Sequence, residues 1–229
     1  MKDKSPIILA LDFKEIESTC VMMEKTLSSI SIFKLGLEFY LAHGKAGVHK
    51  VRERFPDIDI FLDLKLHDIP NTVAGAAASV QDLSPRFLTV HAAGGGAMVN
   101  AAVNALPATS ITAVTVLTSL DEAELAILGL PEDSNGLALS LAKRAIDNGA
   151  TSIVCSPHEA SVLRKQLGSY ITIITPGVRP AGSAKGDQVR VMTPQEAIAE
   201  GANYVVIGRP ITQASDPAAA ASEIRKTLI

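Results

Sequence analysis

Apolar residues along this chain fall into two alternating patterns. Short runs of aliphatic and β-branched residues predict strands at Ile7–Asp12, Ile32–Gly36, Ile58–Leu66, Phe87–Ala92, Ile111–Leu117, Ser152–Ser156, Thr172–Val178 and Tyr204–Gly208. Longer stretches with apolar positions three and four apart predict helices at Lys14–Ser28, Glu38–Arg54, Thr72–Leu83, Ala97–Leu106, Leu137–Asn148, His158–Leu167, Pro194–Glu200 and Ala218–Thr227. The acidic turn Asp121–Leu128 predicts a short extra helix. Such strand–helix alternation predicts an α/β protein, a closed (β/α)8 TIM barrel rather than an open doubly wound sheet. The near-continuous apolar strands fit a parallel sheet covered on both faces. No linker or composition break divides residues 1–229, which are expected to form a single domain. The polar, glycine-containing stretch Arg179–Gln188 predicts a mobile loop after the seventh strand.

Polar residues interrupt these strands mostly at one end. Asp12 closes the first strand, and Lys34 lies late in the second. His91 is late in the fourth, Thr118 follows the fifth, and Ser156 ends the sixth. Pro176-Gly177 lies late in the seventh, and Gly208-Arg209 closes the eighth. Strand ends are polar in part because they emerge into solvent, but the whole set gathers at the C-terminal mouth, where barrel enzymes hold their chemistry.

The third strand carries the sharpest signal, Asp63-Leu64-Lys65-Leu66-His67-Asp68-Ile69-Pro70-Asn71-Thr72. Strict alternation places Asp63, Lys65 and His67 on one face and Leu62, Leu64 and Leu66 on the other. The leucine face suits the outer helices, so Asp63 and Lys65 are expected inside, where Lys34 can complete an alternating charged array. Burying such charges is costly unless they are paired. A structural ion pair is the bland alternative. A lysine between carboxylates stays protonated, which suits a proton donor or a cation that stabilises carbanion character and disfavours Schiff-base chemistry. Asp68 either acts in the site or caps the following helix, as Asn71 or Thr72 can. His67 and His91 are read as local hydrogen-bonding residues, not catalytic ones.

Glycine followed closely by arginine after the last two strands, at Gly177/Arg179 and Gly208/Arg209, points to a phosphate site, although either arginine alone would read as a surface charge. The run Gly94-Gly95-Gly96 is better read as a tight turn than as an anion nest. There is no GxGxxG or P-loop, and no HExxH or clustered ligand set argues for a metal.

Composition narrows the partners. A net charge of −3, with no basic run, predicts neither a nucleic-acid nor an anionic-membrane partner. Two cysteines without CxxC spacing argue against a disulfide framework or Cys-based zinc site. No apolar stretch approaches the roughly 20 residues that span a bilayer. A soluble protein of the cytoplasm is the expectation.

The segment Asp63–Thr72 resembles the signature of the orotidine 5′-phosphate decarboxylase family, bacterial type. The resemblance extends to Leu9–Asp12, Phe33–Gly36, Val90–Gly95, Val114–Ser119, Thr175–Arg179, Gly186–Gln188 and Ile207–Pro210. It implies decarboxylation of orotidine 5′-phosphate (OMP) to UMP without a cofactor, the last step of de novo UMP biosynthesis. It also implies site roles. Lys65 would protonate C6 of the ring, Asp63 would sit near the substrate carboxylate, and Lys34 would complete the network and touch the ribose. Asp68 and Thr72 would enter from the partner subunit of a homodimer with shared sites. Asp12 would bind a ribose hydroxyl, with Thr118 beside the pyrimidine, a place Ser119 could take instead. Pro176 would contribute to substrate binding, and Arg179, Gln188, Gly208 and Arg209 would hold the phosphate, the loop around Gln188 closing as a lid.

Two rivals remain. Magnesium-dependent relatives resembling 3-keto-gulonate-phosphate decarboxylase or hexulose-phosphate synthase share DxKxxD but carry an acidic residue near the position of Lys34. A non-catalytic nucleotide sensor would not need so costly a cluster of charges.

Overall fold

In the computed structural model, which describes residues 5–130, 133–180 and 192–228, parallel strands close into a barrel in sequence order. They are β1 (Ile7–Ala10), β2 (Ile32–Gly36), β3 (Asp59–Leu66), β4 (Phe87–His91), β5 (Ser110–Val114), β6 (Ser152–Val154), β7 (Thr172–Thr175) and β8 (Tyr204–Ile207). The ring is sealed where β1 pairs with β8 in the register Ile7↔Val205 and Leu9↔Ile207. Around it run α1 (Ile16–Thr26), α2 (Leu37–Arg54), α3 (Pro70–Ser79), α4 (Gly96–Ala105), α5 (Glu122–Ile127), α6 (Ser134–Asp147), α7 (Ala160–Leu167), α8 (Pro194–Ala199), α9 (Arg209–Thr212) and α10 (Pro217–Lys226). Among the described residues no helix is long and apolar enough to cross a membrane.

Side-chain alternation divides the core into two layers. Ile8, Ala10, Ile32, Phe61, Phe87, Ile174 and Val206 fill the barrel, while Ile7, Leu9, Phe33, Leu35, Ile60 and Leu62 pack outward with the helices. The N-terminal floor carries its own polar set. Arg86 pairs with Asp59, donates to the Tyr204 hydroxyl at 2.8 Å, and lies over the Phe87 and Tyr204 rings at 5.1 and 5.5 Å. Beside it the Ser110, Thr112, Thr151 and Ser152 hydroxyls bond one another at 2.6–2.8 Å.

Several boundaries differ from expectation. Strands β1, β4, β5, β6, β7 and β8 end one to three residues before their apolar runs do, because the chain leaves the ladder there to form the mouth. Helix α2 is not continuous, since Gly44 (φ 57°, ψ −156°) interrupts it. The expected Thr72–Leu83 helix starts earlier, with Pro70 in its first turn, and gives way to a 3-10 turn at Gln81–Leu83. α6 begins at Ser134 because Asp133 caps it, and α5 is capped by Asp121, whose side chain accepts from the Glu124 N–H at 2.9 Å.

Candidate active site

The C-terminal ends of β1, β2 and β3 bring four charged side chains into line. Lys34 lies in register with Ala10 on one side and Phe61 on the other. Its Nζ stands 3.2 Å from Asp12 Oδ1 and 3.4 Å from Asp63 Oδ2, and Lys65 Nζ donates to Asp63 Oδ1 at 2.8 Å. The order is therefore carboxylate, ammonium, carboxylate, ammonium. The inner pair is deeply placed, with side chains 11% exposed for Lys34 and 13% for Asp63. Gly36 leaves the room this needs, since a Cβ there would stand 2.9 Å from Lys34 Nζ.

Burial by itself would raise the Asp63 carboxyl, but Lys34 and Lys65, with hydrogen bonds from Lys65 and Thr89, outweigh it and hold Asp63 below the ordinary carboxylate value. Burial likewise works to discharge Lys34, yet Asp63 and then Asp12 hold its ammonium above the ordinary lysine value. Lys34 and Asp63 are thus both kept in their charged forms.

Strict alternation does not hold along β3. Its pairing with β4 jumps from Leu62↔Leu88 to Leu66↔Val90, so three residues of β3 stand opposite Thr89 alone. Lys65, at the bulge, has φ 48°, a left-handed conformation that costs a non-glycine residue roughly 1–3 kcal/mol. The expectation that Asp63 and Lys65 meet inside is met, but through a bulge rather than a regular pleat. Thr89, fully buried on β4, accepts from the Lys65 N–H at 2.8 Å and donates to Asp63 Oδ1 at 3.0 Å. Sequence reasoning passed over Thr89; its only signal is a hydroxyl between Leu88 and Val90 in an otherwise apolar strand.

Beside the charges lies a largely apolar pocket. Lys34, Asp63 and Lys65 form one wall, with Thr118, Cys155 and Pro176 among its other lining residues. Thr118 lines this space and Ser119 does not, which favours Thr118 of the two candidates. A second hollow is lined by Asp12, Phe13, Gly208, Arg209, Thr212 and Gln213, and Asp12 links its wall to Lys34 of the first. Arg209 opens the single-turn helix α9, with Gly208 at its N-cap. Gly177 has φ 78°, which a side chain would strain, and two residues on Arg179 hydrogen-bonds to Met192 O through its N–H and to Val178 O through its guanidinium. Gln188 lies outside the described residues.

Asp68 and Thr72 are both exposed beyond the end of β3. The capping reading of Asp68 fails: the N-cap of α3 is Ile69, with no side-chain cap, and Asp68 Oδ1 accepts from the adjacent Ile69 N–H at 2.6 Å. Asn71 and Thr72 lie inside the helix. The His67 and His91 rings sit 5.3 Å apart. Burial first, then His67 and Lys65, lower His91 below the ordinary histidine value against the pull of Asp63, consistent with a neutral neighbour rather than a charged participant. Among the described residues no group of three or more His, Cys, Asp or Glu is placed to hold a metal ion.

A family model described as orotidine 5′-phosphate decarboxylase / HUMPS family matches residues 5–224. An orotidine 5′-phosphate decarboxylase of Thermobifida fusca is 53% identical over 227 residues, covering 97% of each chain. One from Anaeromyxobacter sp. (strain K) is 47% identical and covers 98% of each. The crystal structure of orotidine 5′-phosphate decarboxylase from Lactobacillus acidophilus aligns with a TM-score of 0.85 at 36% identity, over 98% of this chain and 99% of that one.

Proposed function

The chain belongs to the orotidine 5′-phosphate decarboxylase / HUMPS family, and from that premise we propose that it is a carboxy-lyase converting OMP to UMP and carbon dioxide without a cofactor, the last step of de novo UMP biosynthesis. One observation carries the reading: the Lys34–Asp63–Lys65 array, its inner pair buried, opens onto a pocket whose other walls are mainly apolar. In that pocket the substrate carboxylate would stand against Asp63, a fixed like charge. The bond between C6 and the carboxylate breaks, its electron pair stays on C6, and the Lys65 ammonium stabilises that charge and then gives C6 a proton. Solvent reprotonates Lys65 after release. A lysine at position 34, rather than an acidic residue, favours this reaction over the magnesium-dependent sugar-phosphate chemistry of related families.

Lys34 and Asp12 would bind the ribose, Thr118 and Pro176 would flank the pyrimidine, and Gly208, Arg209, Arg179 and Gln188 would hold the phosphate. The second hollow, at Asp12 and Arg209, supports this division. Binding the remote phosphate would help organise the charged end. We also propose a cytoplasmic homodimer in which Asp68 and Thr72 of the partner subunit complete each site. Ile69, beside Asp68, is 67% exposed, which supports a surface that another subunit covers.

Incubation with OMP, followed by loss of orotate absorbance and by carbon dioxide release, tests the reaction. Turnover that survives EDTA is expected; no turnover, or turnover abolished by EDTA, rejects it. Mixing Lys65→Ala and Asp68→Ala proteins under subunit exchange tests sharing. Random exchange makes about half the dimers mixed and restores about a quarter of all sites. Demonstrated exchange without recovered activity rejects the shared site.

A further inference from the structure

Lys65 is tied at both ends to a single carboxylate oxygen. Its Nζ donates directly to Asp63 Oδ1 at 2.8 Å. Its backbone N–H donates at 2.8 Å to the Thr89 hydroxyl, which donates onward at 3.0 Å to that same Oδ1. The result is a closed ring of three hydrogen bonds through Lys65, Thr89 and Asp63. It spans the place where β3 and β4 lose register, between Leu62↔Leu88 and Leu66↔Val90. A bulge leaves amides without a regular ladder partner, and here a side-chain hydroxyl from the facing strand takes one of them.

We propose that Thr89 is a positioning residue for the reaction: its hydroxyl holds Lys65 in the left-handed backbone conformation that returns its ammonium to Asp63, and it fixes the Asp63 carboxylate between Lys34 and Lys65. Lys65 has φ 48°, which a β-strand lysine does not adopt without an external constraint. Thr89 is 0% exposed, so water does not compete for its hydroxyl, and its single proton is committed to Asp63. A hydroxyl is suited to this place because it accepts and donates at once; a valine has the same shape and does neither. Thr89 lines no wall of the pocket and would not touch substrate, so its effect is exerted through Lys65 and Asp63.

The role has an electrostatic side. Asp63 faces Lys34 from β2, Lys65 from its own strand and Thr89 and His91 from β4, with Asp12 beyond Lys34. The Thr89 hydrogen bond is one of the contacts that keep this carboxyl ionised. Removing it moves the protonation of Asp63 to higher pH, and the acid limb of kcat should move the same way.

The inference rests on the decarboxylase reading, and the experiment separates the two. With wild-type turnover of OMP as the control, Thr89→Val should lower kcat by about 10²-fold, the scale of loss from misplacing a catalytic group by an ångström. KM should change by less than about threefold, since the phosphate contacts are untouched. Thr89→Ser should recover most of kcat and the wild-type acid limb. If Thr89→Val does not accumulate as folded protein, Thr89→Ala against Thr89→Ser isolates the hydroxyl at nearly constant volume. A Thr89→Val or Thr89→Ala enzyme with wild-type kcat, or a Thr89→Ser enzyme no better than either, overturns the proposal. A crystal structure of the hydroxyl-free variant gives a readout independent of turnover. Lys65 leaving positive φ, or its Nζ parting from Asp63, supports the proposal; an unchanged bulge overturns it. Failure of wild-type turnover, by contrast, counts against the decarboxylase reading alone.

Discussion

The two ends of the barrel hold similar chemical parts and use them differently. At the floor, the Arg86 guanidinium finds Asp59, the Tyr204 hydroxyl and two aromatic faces, all partners within the protein. At the mouth, Lys34 and Lys65 share the carboxylate of Asp63, and both ammoniums border an open pocket. The floor has a regular strand register, Phe61↔Phe87 and Phe87↔Ser110; the mouth has a bulge and a left-handed lysine. Satisfied charge in regular backbone gives a scaffold. Partly satisfied charge on irregular backbone, held by neighbours that leave it no alternative, gives a site prepared for a ligand.

Substitutions at the two ends should therefore separate activity from stability. Lys65→Ala is expected to have the largest effect, a fall in kcat of more than about 10²-fold with the melting temperature little changed. Orotate absorbance and thermal unfolding measure the two quantities, and retention of over a tenth of wild-type kcat would remove Lys65 from its role. Arg209→Ala should weaken binding of UMP by about 10- to 100-fold, the worth of charge-assisted hydrogen bonds to phosphate, while uridine binding stays as it was. Equal losses in calorimetric titrations of both ligands would make Arg209 part of the scaffold.

Arg86→Leu should show the opposite profile. Loss of its hydrogen bonds, roughly 1–3 kcal/mol, lowers the melting temperature by several degrees, whereas kcat measured on folded protein is unchanged. A large fall in kcat without loss of stability would erase the distinction between floor and mouth. The smallest effect concerns pH. Asp63 lies below its unfolded value, so its stabilisation is present above about pH 4 and is lost as pH falls through the folded value. Lys34 lies above its unfolded value, so its contribution is complete below about pH 10 and is lost as pH rises through the folded value. The stability gap between wild type and Asp63→Asn should be widest between those limits and shrink on acidification. A gap that stays constant from neutral to strongly acidic pH would show that Asp63 is not held ionised by its neighbours.

The same contrast explains what could be read from the chain before its structure. The strand–helix order follows from local apolar patterning, which survives wherever backbone is regular, whereas the polar set around Arg86 at the floor depends on partners distant in the chain. The charged residues at the mouth were visible because lysine and aspartate are out of place in apolar strands. The conformation that joins them was not. Asp63-Leu64-Lys65-Leu66-His67 reads as perfect alternation, and nothing in that spacing marks Lys65 as left-handed; the bulge depends on β4 across the sheet. Thr89 escaped notice for the complementary reason, since threonine is at home in strands. Asp12 was read from its position as a strand end, but its contact with Lys34 depends on the neighbouring strand and on the space left by Gly36.

The seam of the barrel has a consequence for synthesis. The hollow next to the charged array takes Asp12 and Phe13 from just beyond the first strand and Gly208, Arg209 and Gln213 from just beyond the last. A ribosome adds residues at about 5–20 per second, so the groups that would carry out the chemistry leave the exit tunnel several seconds before the arginine proposed to grip the substrate. Until β8 docks on β1, the nascent chain holds reactive charges with no completed anion end. If the proposed phosphate assignment holds, phosphate affinity would be gained only when β8 docks on β1, and a product truncated before Tyr204 should accumulate no active enzyme.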